Sequence, residues 1–509
     1  MQKNSIFSSF DFQKQQYWVK NFLDFDIAQF EKLLAQKPES FWQKKGEERA
    51  LSLFQLASTK VPAYKDFLKK HSINPKKIRT IKDFEQVPFC DKKNYINAYP
   101  LEKRLWNGKL NSTNILAMSS GTSGQPTLWA RGGYQEFEAA VIHELIYTYL
   151  FDIAKHRTLL IIGFPMGTYV SGVATLLPSW LVSQKSHNLT VVSCGTNKQD
   201  ILRVARLMQK DYQQIVLVGH PFFMKDVIET GNGTGIPWSK KRLKLMFCSE
   251  GFSEQWRTHV LSSIHPTKKI RAIDMLSTYG SSELLLMAWE TPASIQLKSV
   301  IEKHKNIKAE ILRRWSPSSL FQYNPLFRYI ESIKDELLFT SASGVPLIRY
   351  NLHDMGRIVS LEHAKKAVPK LTATWNLPFL ALGGRSDYAI VFYAANIYPE
   401  HIRQALDHKP FLSYITGKFV MRKDYTPKME EFLEINIELK SNAQNNKTLE
   451  RTIQKRIFDY LQKVNMEYLD MSSHHVGKQR AIPRIKLCPY QHERYFKPGL
   501  KPQYILLPT

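Results

Sequence analysis

Short apolar runs alternate with amphipathic stretches along the middle of the chain, between residues 158 and 280. The runs have the length and the β-branched content of buried strands, whereas KQDILRVARLMQK between two of them repeats its apolar residues at helical spacing. Strands that alternate with helices predict parallel β-α-β units in a sheet covered on both faces. The strand-like runs are LLIIGF, NLTVVSC, QIVLVGH, LKLMFCSE and IRAIDMLSTYG.

Small or polar residues end each of these runs. Ligands of open α/β sheets bind at the carboxyl ends of the strands, so we expect a site at these strand ends. The residues concerned are Gly163, Ser193-Cys194-Gly195, Gly219-His220, Ser249-Glu250-Gly251 and Tyr279-Gly280.

The two ends of the chain have a different pattern. Residues 1–100 are predicted to be mostly helical, and after residue 385 an alternating strand, an amphipathic helix and a further strand follow in KMEEFLEINIELK, KTLERTIQKRIFDYLQK and IPRIKLCPY. We therefore predict an α/β protein with mixed or parallel sheets flanked by helices. Residues 1–385 would form a large N-terminal domain and residues 386–509 a small α+β domain, with GGRSDYA at the junction.

Residues 158–184 carry no charge and are long enough to cross a bilayer. Pro165, Gly167, Gly172 and Pro178 interrupt them, which favours a buried strand followed by a buried helix over a transmembrane segment. The N-terminus lacks the apolar core of a signal peptide, and the four cysteines form no CxxC pair. These features predict a cytoplasmic protein without a disulfide framework or a zinc ribbon.

The chain is strongly basic, with 71 Lys and Arg against 45 Asp and Glu and a net charge of +26. Such a charge attracts anionic partners such as nucleic acid, lipid headgroups, nucleotides or an acidic carrier protein. Basic residues come in pairs, such as Lys69-Lys70 and Lys76-Lys77, and not in blocks of five or six. No specific nucleic-acid arm is therefore predicted, and a nucleic-acid or membrane-surface binder has no motif to support it.

A hydroxyl-rich loop is the first candidate for chemistry. Its glycines allow the backbone to point N–H groups at an anion, and its hydroxyls add donors for phosphate oxygens. No Gly-Lys-Ser/Thr follows, so it is not a Walker loop, and a motif of this kind taken alone is more often an ordinary polar loop or linker turn. The loop residues are Ser119, Ser120, Gly121, Thr122, Ser123 and Gly124.

Three further stretches carry candidate residues. STYGSSELL places the Glu283 carboxylate at a strand end, where Mg²⁺ would bridge it to phosphate, although an acidic residue there also suits the start of a helix. IRYNLHDMG is expected to end a strand at Asp354, an acceptor for ribose hydroxyls or the cap of a turn. GGRSDY places Arg385 and Asp387 at the junction, where Arg385 is equally consistent with a surface ion pair.

The order and spacing of these stretches resemble the adenylate-forming superfamily, which includes acyl-CoA synthetases, adenylation domains and luciferases, and in particular its phenylacetate–CoA ligase branch. The phosphate loop is similar to residues 119–127, the YG-x-[ST]-E motif to residues 279–283, the ribose aspartate to Asp354, and the GR-x-D hinge to residues 384–387. CSEGFSEQWR resembles the adenine-side segment. VPAYKDFLKK and ANIYPEHIRQAL resemble the lead-in and the segment after the hinge, so the resemblance covers nearly the whole chain.

The resemblance implies an ATP- and Mg²⁺-dependent ligase. A carboxylic acid would attack the α-phosphorus of ATP to give an acyl-adenylate and pyrophosphate, and the acyl group would then pass to CoA. The loop 119–124 with Thr127 would wrap the β- and γ-phosphates, Glu283 would hold Mg²⁺, and Ser282 would contact the α-phosphate. The remaining nucleotide contacts would be Ser249, Glu250 and Gly251 at the adenine, Tyr279 stacked near it beside Gly280, and Asp354 and Arg385 at the ribose.

The resemblance also implies a catalytic lysine late in the small domain, for which Lys501 is the first choice and Lys497 the second, and a domain rotation about Asp387. The acid pocket would be walled by Met166, Tyr169 and Val170 of GFPMGTYVSG and by Phe222 of GHPFF. An aromatic or otherwise flat acid fits these residues, which are equally consistent with a protein core.

Three residues after the hinge depart from the family pattern. Tyr388 stands where the family commonly has a second aspartate, Tyr393 where it often has a basic or polar residue, and Ala394 where it has a glycine beside the pantetheine tunnel. Added volume at a tunnel wall obstructs a ligand. CoA, an amine and a carrier protein therefore all remain open as acceptors, and so does a non-catalytic nucleotide-binding protein.

Overall fold

The fold was analysed in a computed structural model of the chain. It describes residues 6–7, 17–110, 115–118, 127–168, 170–185, 188–238, 242–249, 251–264, 271–312, 319–385, 390–393, 395–426, 431–465, 468–469, 471–475, 478–496 and 504–506.

The N-terminal hundred residues are mostly helical, as predicted. Proline sets two of the boundaries, because Pro38 precedes the third helix and Pro62 occupies the first position of the fourth. Asp26 caps the second helix by accepting a hydrogen bond from the Gln29 N–H at 2.9 Å. The helices are α1 Trp18–Leu23, α2 Ile27–Gln36, α3 Glu39–Lys60, α4 Pro62–Lys70, α5 Ile81–Phe84 and α6 Leu101–Arg104.

The central region forms the predicted parallel β-α-β units, preceded by a β hairpin. Strands β3 to β7 lie side by side in the order β4-β3-β5-β6-β7, all parallel. The strands are β1 Ile115–Met118, β2 Leu128–Arg131, β3 Thr158–Gly163, β4 Leu189–Ser193, β5 Gln214–Gly219, β6 Arg242–Phe247 and β7 Met275–Ser281. The helices are α7 Gly133–Leu145, α8 Val170–Ser183, α9 Lys198–Met208, α10 Pro221–Gly233 and α11 Glu254–Ile264.

Antiparallel strands extend the same sheet beyond β7. The described residues form an eleven-stranded mixed sheet in the order β10-β11-β12-β13-β9-β8-β7-β6-β5-β3-β4. The added strands are β8 Leu285–Trp289, β9 Ser319–Gln322, β10 Tyr329–Ile333, β11 Glu336–Ser341, β12 Leu347–Val359 and β13 Phe379–Arg385. Helices α12 Pro292–Lys303, α13 Lys305–Leu312 and α14 Leu361–Ala367 accompany them.

A separate sheet with its own apolar core follows near the C-terminus. Its strand order is β18-β17-β16-β19, and β14 and β15 form a hairpin beside it. The core includes Phe419 of β16, Ile435 of β17 and Ile457 of the amphipathic helix. The elements are β14 Ile390–Phe392, β15 Ala395–Ile397, α15 Pro399–Leu406, α16 Lys409–Leu412, β16 Ile415–Tyr425, β17 Glu431–Leu439, α17 Lys447–Val464, α18 Lys478–Ala481, β18 Arg484–Cys488 and β19 Ile505–Leu506.

Short turns of other helical types complete the backbone. IRAIDMLSTYG, predicted as one strand, opens with such a turn and becomes β7 only at Met275. The 3₁₀ turns are Pro75–Lys77, Trp106–Gly108 and Ala272–Asp274, and the π-helical turns are Lys92–Ile96, Ile146–Leu150 and Met471–His475.

The uncharged stretch 158–184 forms a buried strand and a helix, as expected. Every residue of β3 is buried, and α8 carries Pro178 inside it. Among the residues that the structure describes, no helix combines the length and the apolarity needed to cross a membrane.

Candidate functional site

The hydroxyl-rich loop joins the two strands of the β1–β2 hairpin. Met118 at the end of β1 is paired with Leu128 at the start of β2, and the Met118 N–H donates to the Thr168 carbonyl at 2.8 Å. Thr127 is half-buried immediately before β2. Residues 119–126 lie outside the described part of the chain, and with them the predicted phosphate contacts Ser119, Ser120, Gly121, Thr122, Ser123 and Gly124.

Tyr279 and Asp354 are in direct contact although 75 residues separate them. The Tyr279 hydroxyl donates to the Asp354 carboxylate. The Tyr279 ring stacks on Phe321 of β9, with centroids 6.0 Å apart and planes inclined by 17°, and tilts against Phe339. The half-buried tyrosine thus has Phe321 as an aromatic neighbour, which the sequence did not indicate.

Asp354 lies opposite Arg385 in the antiparallel pair β12–β13. The expectation that Asp354 ends a strand is wrong, because β12 continues to Val359. The strand bends at this point, since His353 has a φ of +60° and the register shifts between Met355 and Gly356. The Arg385 side chain lies outside the described part of the chain.

The turn between β7 and β8 presents Ser282 and Glu283, both half-buried. Glu283 does not begin a helix, so that alternative is wrong. Two buried side chains donate hydrogen bonds to the backbone of this turn. The Glu283 carbonyl accepts from Gln135 Nε2 at 3.0 Å, and the Leu284 carbonyl accepts from Arg328 Nη2 at 2.6 Å. Gly280 precedes the turn, and a Cβ at this position would lie 2.7 Å from the Leu285 carbonyl oxygen, so only glycine fits without a shift.

Glu283 fits the prediction of a magnesium ligand that would share its ion with a nucleotide. Mg²⁺ is usually held by one or two carboxylates together with substrate phosphates and waters, rather than by a complete protein cage. Within the described residues, no group of three or more His, Cys, Asp or Glu side chains is arranged to hold a metal. Half-buried Glu283, next to Ser282 in the chain, offers one carboxylate and one hydroxyl, which is a donor set of this smaller kind.

The segment predicted to lie beside the adenine is contacted by α15 and by Asp407, which follows directly after that helix. Ser249 adopts the left-handed conformation with a φ of +79°. The Gly251 carbonyl accepts from Arg403 Nη1 at 3.4 Å, and the Ser253 N–H donates to the Asp407 carboxylate at 3.4 Å. Burial raises the pKa of Asp407 to about 6. Glu250 lies outside the described residues.

Side chains at two further places join the C-terminal region to α10. Glu229 pairs with Lys440 at 2.9 Å and with the buried Lys225 at 2.9 Å. Burial lowers the pKa of Lys225 to about 8. The Tyr490 hydroxyl donates to Asp226 at 2.5 Å. Sequence reasoning did not single out these residues, because none of them belongs to a motif.

The predicted acid-pocket segment lies near β1 and the start of β8. Val170 is buried in one apolar cluster with Ala117 of β1, Ala139 of α7 and Leu285 of β8. Met166 is half-buried and packs against Gly172 in the first turn of α8. Tyr169 lies outside the described residues. For Phe222, the described backbone lies in the first turn of α10.

Solved structures of several ligases are similar to this chain, whereas neither a protein-family model nor a curated protein matches its sequence. A 2-hydroxyisobutyryl-CoA ligase with 2-HIB-AMP in the postadenylation state has 14% identity and a TM-score of 0.67, covering 94% of this chain and 92% of that one. An acyl acid amido synthetase in complex with 2,4-DB has 13% identity and a TM-score of 0.57, covering 91% and 89%. The chain has the fold of the adenylate-forming ligases.

A second structure of the 2-hydroxyisobutyryl-CoA ligase, with 2-HIB-AMP and CoA in the thioesterification state, matches less well. Its TM-score is 0.54 at 15% identity, with 94% of this chain and 91% of that chain covered. This chain therefore superposes better on the postadenylation structure of that ligase than on its thioesterification structure.

Several predicted residues of this adenylate-forming fold lie outside the described part of the chain: Lys497, Lys501, Asp387, Tyr388 and Ala394. Their neighbour Tyr393 is described. Its N–H donates to the Glu431 carboxylate at 2.9 Å and its hydroxyl donates to the Glu431 carbonyl at 3.1 Å. Tyr393 is therefore held by two hydrogen bonds to the first residue of β17.

Proposed function

We propose that the chain is an ATP- and Mg²⁺-dependent ligase that adenylates a carboxylic acid and transfers the acyl group to CoA. The observation that supports this most is the contact of Tyr279 with Asp354, which itself lies opposite Arg385. Three residues from three separate stretches meet at one place in the sheet, and all three belong to the motifs that suit a nucleotide.

In the first half-reaction, a carboxylate oxygen of the acid forms a bond to the α-phosphorus of ATP, and the bond from that phosphorus to the pyrophosphate oxygen breaks. This step needs in-line positioning and neutralisation of charge rather than a covalent protein intermediate. Bound Mg²⁺ supplies positive charge to the phosphate oxygens. We assign Glu283 to hold that ion and Ser282 to donate to the α-phosphate.

The other nucleotide contacts follow from the same assignment. The loop 119–124 and Thr127 donate to the β- and γ-phosphates, and Asp354 and Arg385 bind the ribose. Tyr279, beside Gly280, packs near the adenine, which the segment Ser249, Glu250 and Gly251 lines. Lys501 contacts the carboxylate and the α-phosphate, with Lys497 as the alternative. Met166, Tyr169, Val170 and Phe222 wall the acid, an arrangement that would suit an aromatic substrate.

We further place the boundary between the two domains after residue 385, with the hinge at Asp387. The C-terminal domain would rotate about this residue between adenylation and transfer. The contacts of Arg403 with Gly251 and of Lys440 with Glu229 cross this boundary. They would therefore be broken and replaced during the rotation.

Transfer to an amine is the second candidate, favoured by the similarity to an acyl acid amido synthetase. The deciding experiment measures pyrophosphate release with ATP and Mg²⁺ over a panel of aryl and alkyl acids, alone, with CoA and with amines, and identifies the product by mass spectrometry. A thioester supports the CoA ligase and an amide supports the amine acceptor. Acid-dependent release that ignores both directs the search to a carrier protein. Binding of ATP without release for any acid indicates a non-catalytic protein.

A further inference from the structure

Helix α7 is buried along all of its thirteen residues and yet carries several polar side chains. A buried polar group is costly unless it finds a hydrogen-bond partner. Two polar residues of α7 are connected to the turn that carries Glu283. Gln135 donates directly to a carbonyl of this turn, whereas Glu138 forms an ion pair with Arg328, which donates to the next carbonyl of the turn.

The side chain of Gln135 makes a single described hydrogen bond, and this bond goes to the turn. Its side chain is 1% exposed, and Nε2 donates to the Glu283 carbonyl at 3.0 Å. Its Oε1 is buried with no hydrogen-bond partner among the described residues. The side chain therefore gains little from being a glutamine apart from the donor that it points at Glu283.

Arg328 holds the next carbonyl of the turn. Its side chain is fully buried, and Nη2 donates to the Leu284 carbonyl at 2.6 Å. Nη1 donates to the carboxylate of Glu138, which also pairs with Arg49 of α3. The guanidinium is thus fixed by a buried ion pair and by a hydrogen bond from Nη1 to the Phe327 carbonyl at 2.8 Å, so Nη2 is aimed at the turn with little freedom to move.

We propose that Gln135 and Arg328 are positioning residues that set where the Glu283 carboxylate stands for Mg²⁺ and ATP. This rests on the proposed function, because it assumes that Glu283 is the metal ligand. Two donors on consecutive carbonyls, those of Glu283 and Leu284, fix the orientation of both peptide planes. The Cα of Glu283, from which the carboxylate projects, belongs to the first of these planes, and the second plane follows it directly, so the position of the carboxylate depends on these two bonds.

If either hydrogen bond to the turn is lost, we expect a specific defect in the binding of Mg²⁺. The carboxylate would have to be ordered when the metal binds, so the concentration of Mg²⁺ needed for half-maximal binding of ATP rises. Binding of ATP without the metal stays unchanged, because Gln135 and Arg328 touch backbone carbonyls and not the nucleotide. A merely structural role would instead lower stability and leave the Mg²⁺ requirement as it is.

Gln135→Met is the test variant, since it keeps the length and volume of the side chain and removes the donor. Gln214→Met is the matched control. Gln214 is also fully buried, and its Nε2 donates to the Phe151 carbonyl at 2.8 Å. It lies at the start of β5, whereas the proposed site lies at the carboxyl ends of the strands. Both variants remove a buried donor from a backbone carbonyl, and Gln214→Met also removes the hydrogen bond from Nε2 to Thr158 Oγ1 at 3.2 Å, so it disturbs the core at least as much as Gln135→Met.

The measurement is ATP binding by calorimetry in EDTA and at increasing Mg²⁺, with acid-dependent exchange of pyrophosphate into ATP in parallel. We expect the half-saturating Mg²⁺ concentration to rise about five- to tenfold in Gln135→Met, as for the loss of one hydrogen bond. The shift in Gln214→Met should stay within about twofold. Arg328→Lys, which keeps the charge beside Glu138, should shift it in the same direction as Gln135→Met.

The outcomes separate the two proposals. If the wild type binds ATP and adenylates an acid but Gln135→Met has the wild-type Mg²⁺ requirement, the positioning role is wrong and the proposed function stands. If Gln214→Met shifts as much as Gln135→Met, the effect is one of general stability and the positioning role is again wrong. If the wild type shows no Mg²⁺-dependent ATP binding, both proposals are overturned.

Discussion

Asp354 of β12 lies opposite Arg385 of β13, and its carboxylate also accepts the hydroxyl of Tyr279 from β7. In the sheet, β8, β9 and β13 lie between β7 and β12, so the hydrogen bond from Tyr279 to Asp354 connects two strands that are not neighbours. A carboxylate has room for about four hydrogen bonds. It can therefore keep Tyr279 and still accept both hydroxyls of a ribose, which is the role we propose for it.

The hydrogen bond from Tyr279 to Asp354 predicts a measurable coupling. Tyr279→Phe removes the donor and leaves Asp354 less well oriented, so the apparent affinity for ATP should fall about fivefold, while the free energy of unfolding falls by about 1–2 kcal/mol. A double-mutant cycle with Asp354→Asn should give a coupling energy of about 1 kcal/mol or more. Strict additivity of the two changes would show that the contact carries no energy.

Glu283→Gln tests the metal ligand. The change preserves the shape of the side chain and the carbonyl contact with Gln135, and removes the charge that would face Mg²⁺. We expect acyl-adenylate formation to fall at least about a hundredfold without loss of thermal stability. Glu48→Gln, an exposed glutamate of α3 paired with Lys45, is the control and should leave the rate unchanged. Equal rates of acyl-adenylate formation in the wild type and in Glu283→Gln would show that Glu283 is not the metal ligand.

Gly280→Ala tests the geometry at the start of the turn. The added Cβ would meet the Leu285 carbonyl oxygen at 2.7 Å, so β7 and β8 must move apart and the Glu283 turn with them. We expect a loss of about 1–3 kcal/mol in the free energy of unfolding and a lower rate of adenylation. Gly233→Ala at the end of α10 is the control, since its Cβ would meet nothing within 4 Å. That variant should be neutral or slightly more stable.

The raised pKa of Asp407 predicts a pH dependence of stability. Burial holds this pKa at about 6, above the ordinary value of an aspartate, so between pH 4 and 6 the folded protein binds a proton that the unfolded chain has lost. This group therefore lowers stability as the pH rises through that window. Asp407→Asn should gain about 1–3 kcal/mol relative to the wild type between pH 4 and pH 7, measured by denaturant unfolding. A constant difference across that range would contradict the assigned pKa.

The choice between two lysines of the C-terminal tail is decided by separating the half-reactions. Lys501→Ala should slow adenylation about a hundredfold, because a cation that neutralises charge in the transition state is lost. Transfer from preformed acyl-adenylate should continue at the wild-type rate. Lys497→Ala should affect neither step. If Lys497→Ala slows adenylation and Lys501→Ala does not, the assignment of the two residues is reversed.

The parallel half of the sheet was predictable from the sequence because its strands are buried on both faces. LLIIGF and QIVLVGH show that pattern directly, and they form β3 and β5. Asp354 was placed wrongly at a strand end, since polar residues within NLHDMG look like the end of an apolar run. In the structure a bend within β12 accommodates them, and the pairing with β13 continues.

The supporting residues of the site were not predictable. Gln135 lies 148 residues before the carbonyl that it holds, and Arg328 lies 44 residues after its own. A glutamine in a helix and an arginine in NPLFRYIES carry no periodicity or spacing that points to a turn elsewhere in the chain. Such contacts arise only when the sheet brings α7, β8 and the segment before β10 together.

The most direct test of the proposed function is acid-dependent exchange of labelled pyrophosphate into ATP, over a panel of aryl and alkyl acids. Exchange requires reversible formation of an acyl-adenylate and is independent of the acceptor, so it bypasses the question of CoA. We predict exchange that needs both Mg²⁺ and a particular acid, that is abolished in Glu283→Gln and Asp354→Ala, and that persists in Glu48→Gln. Binding of ATP with no exchange for any acid, or undiminished exchange in Glu283→Gln, would contradict the proposal.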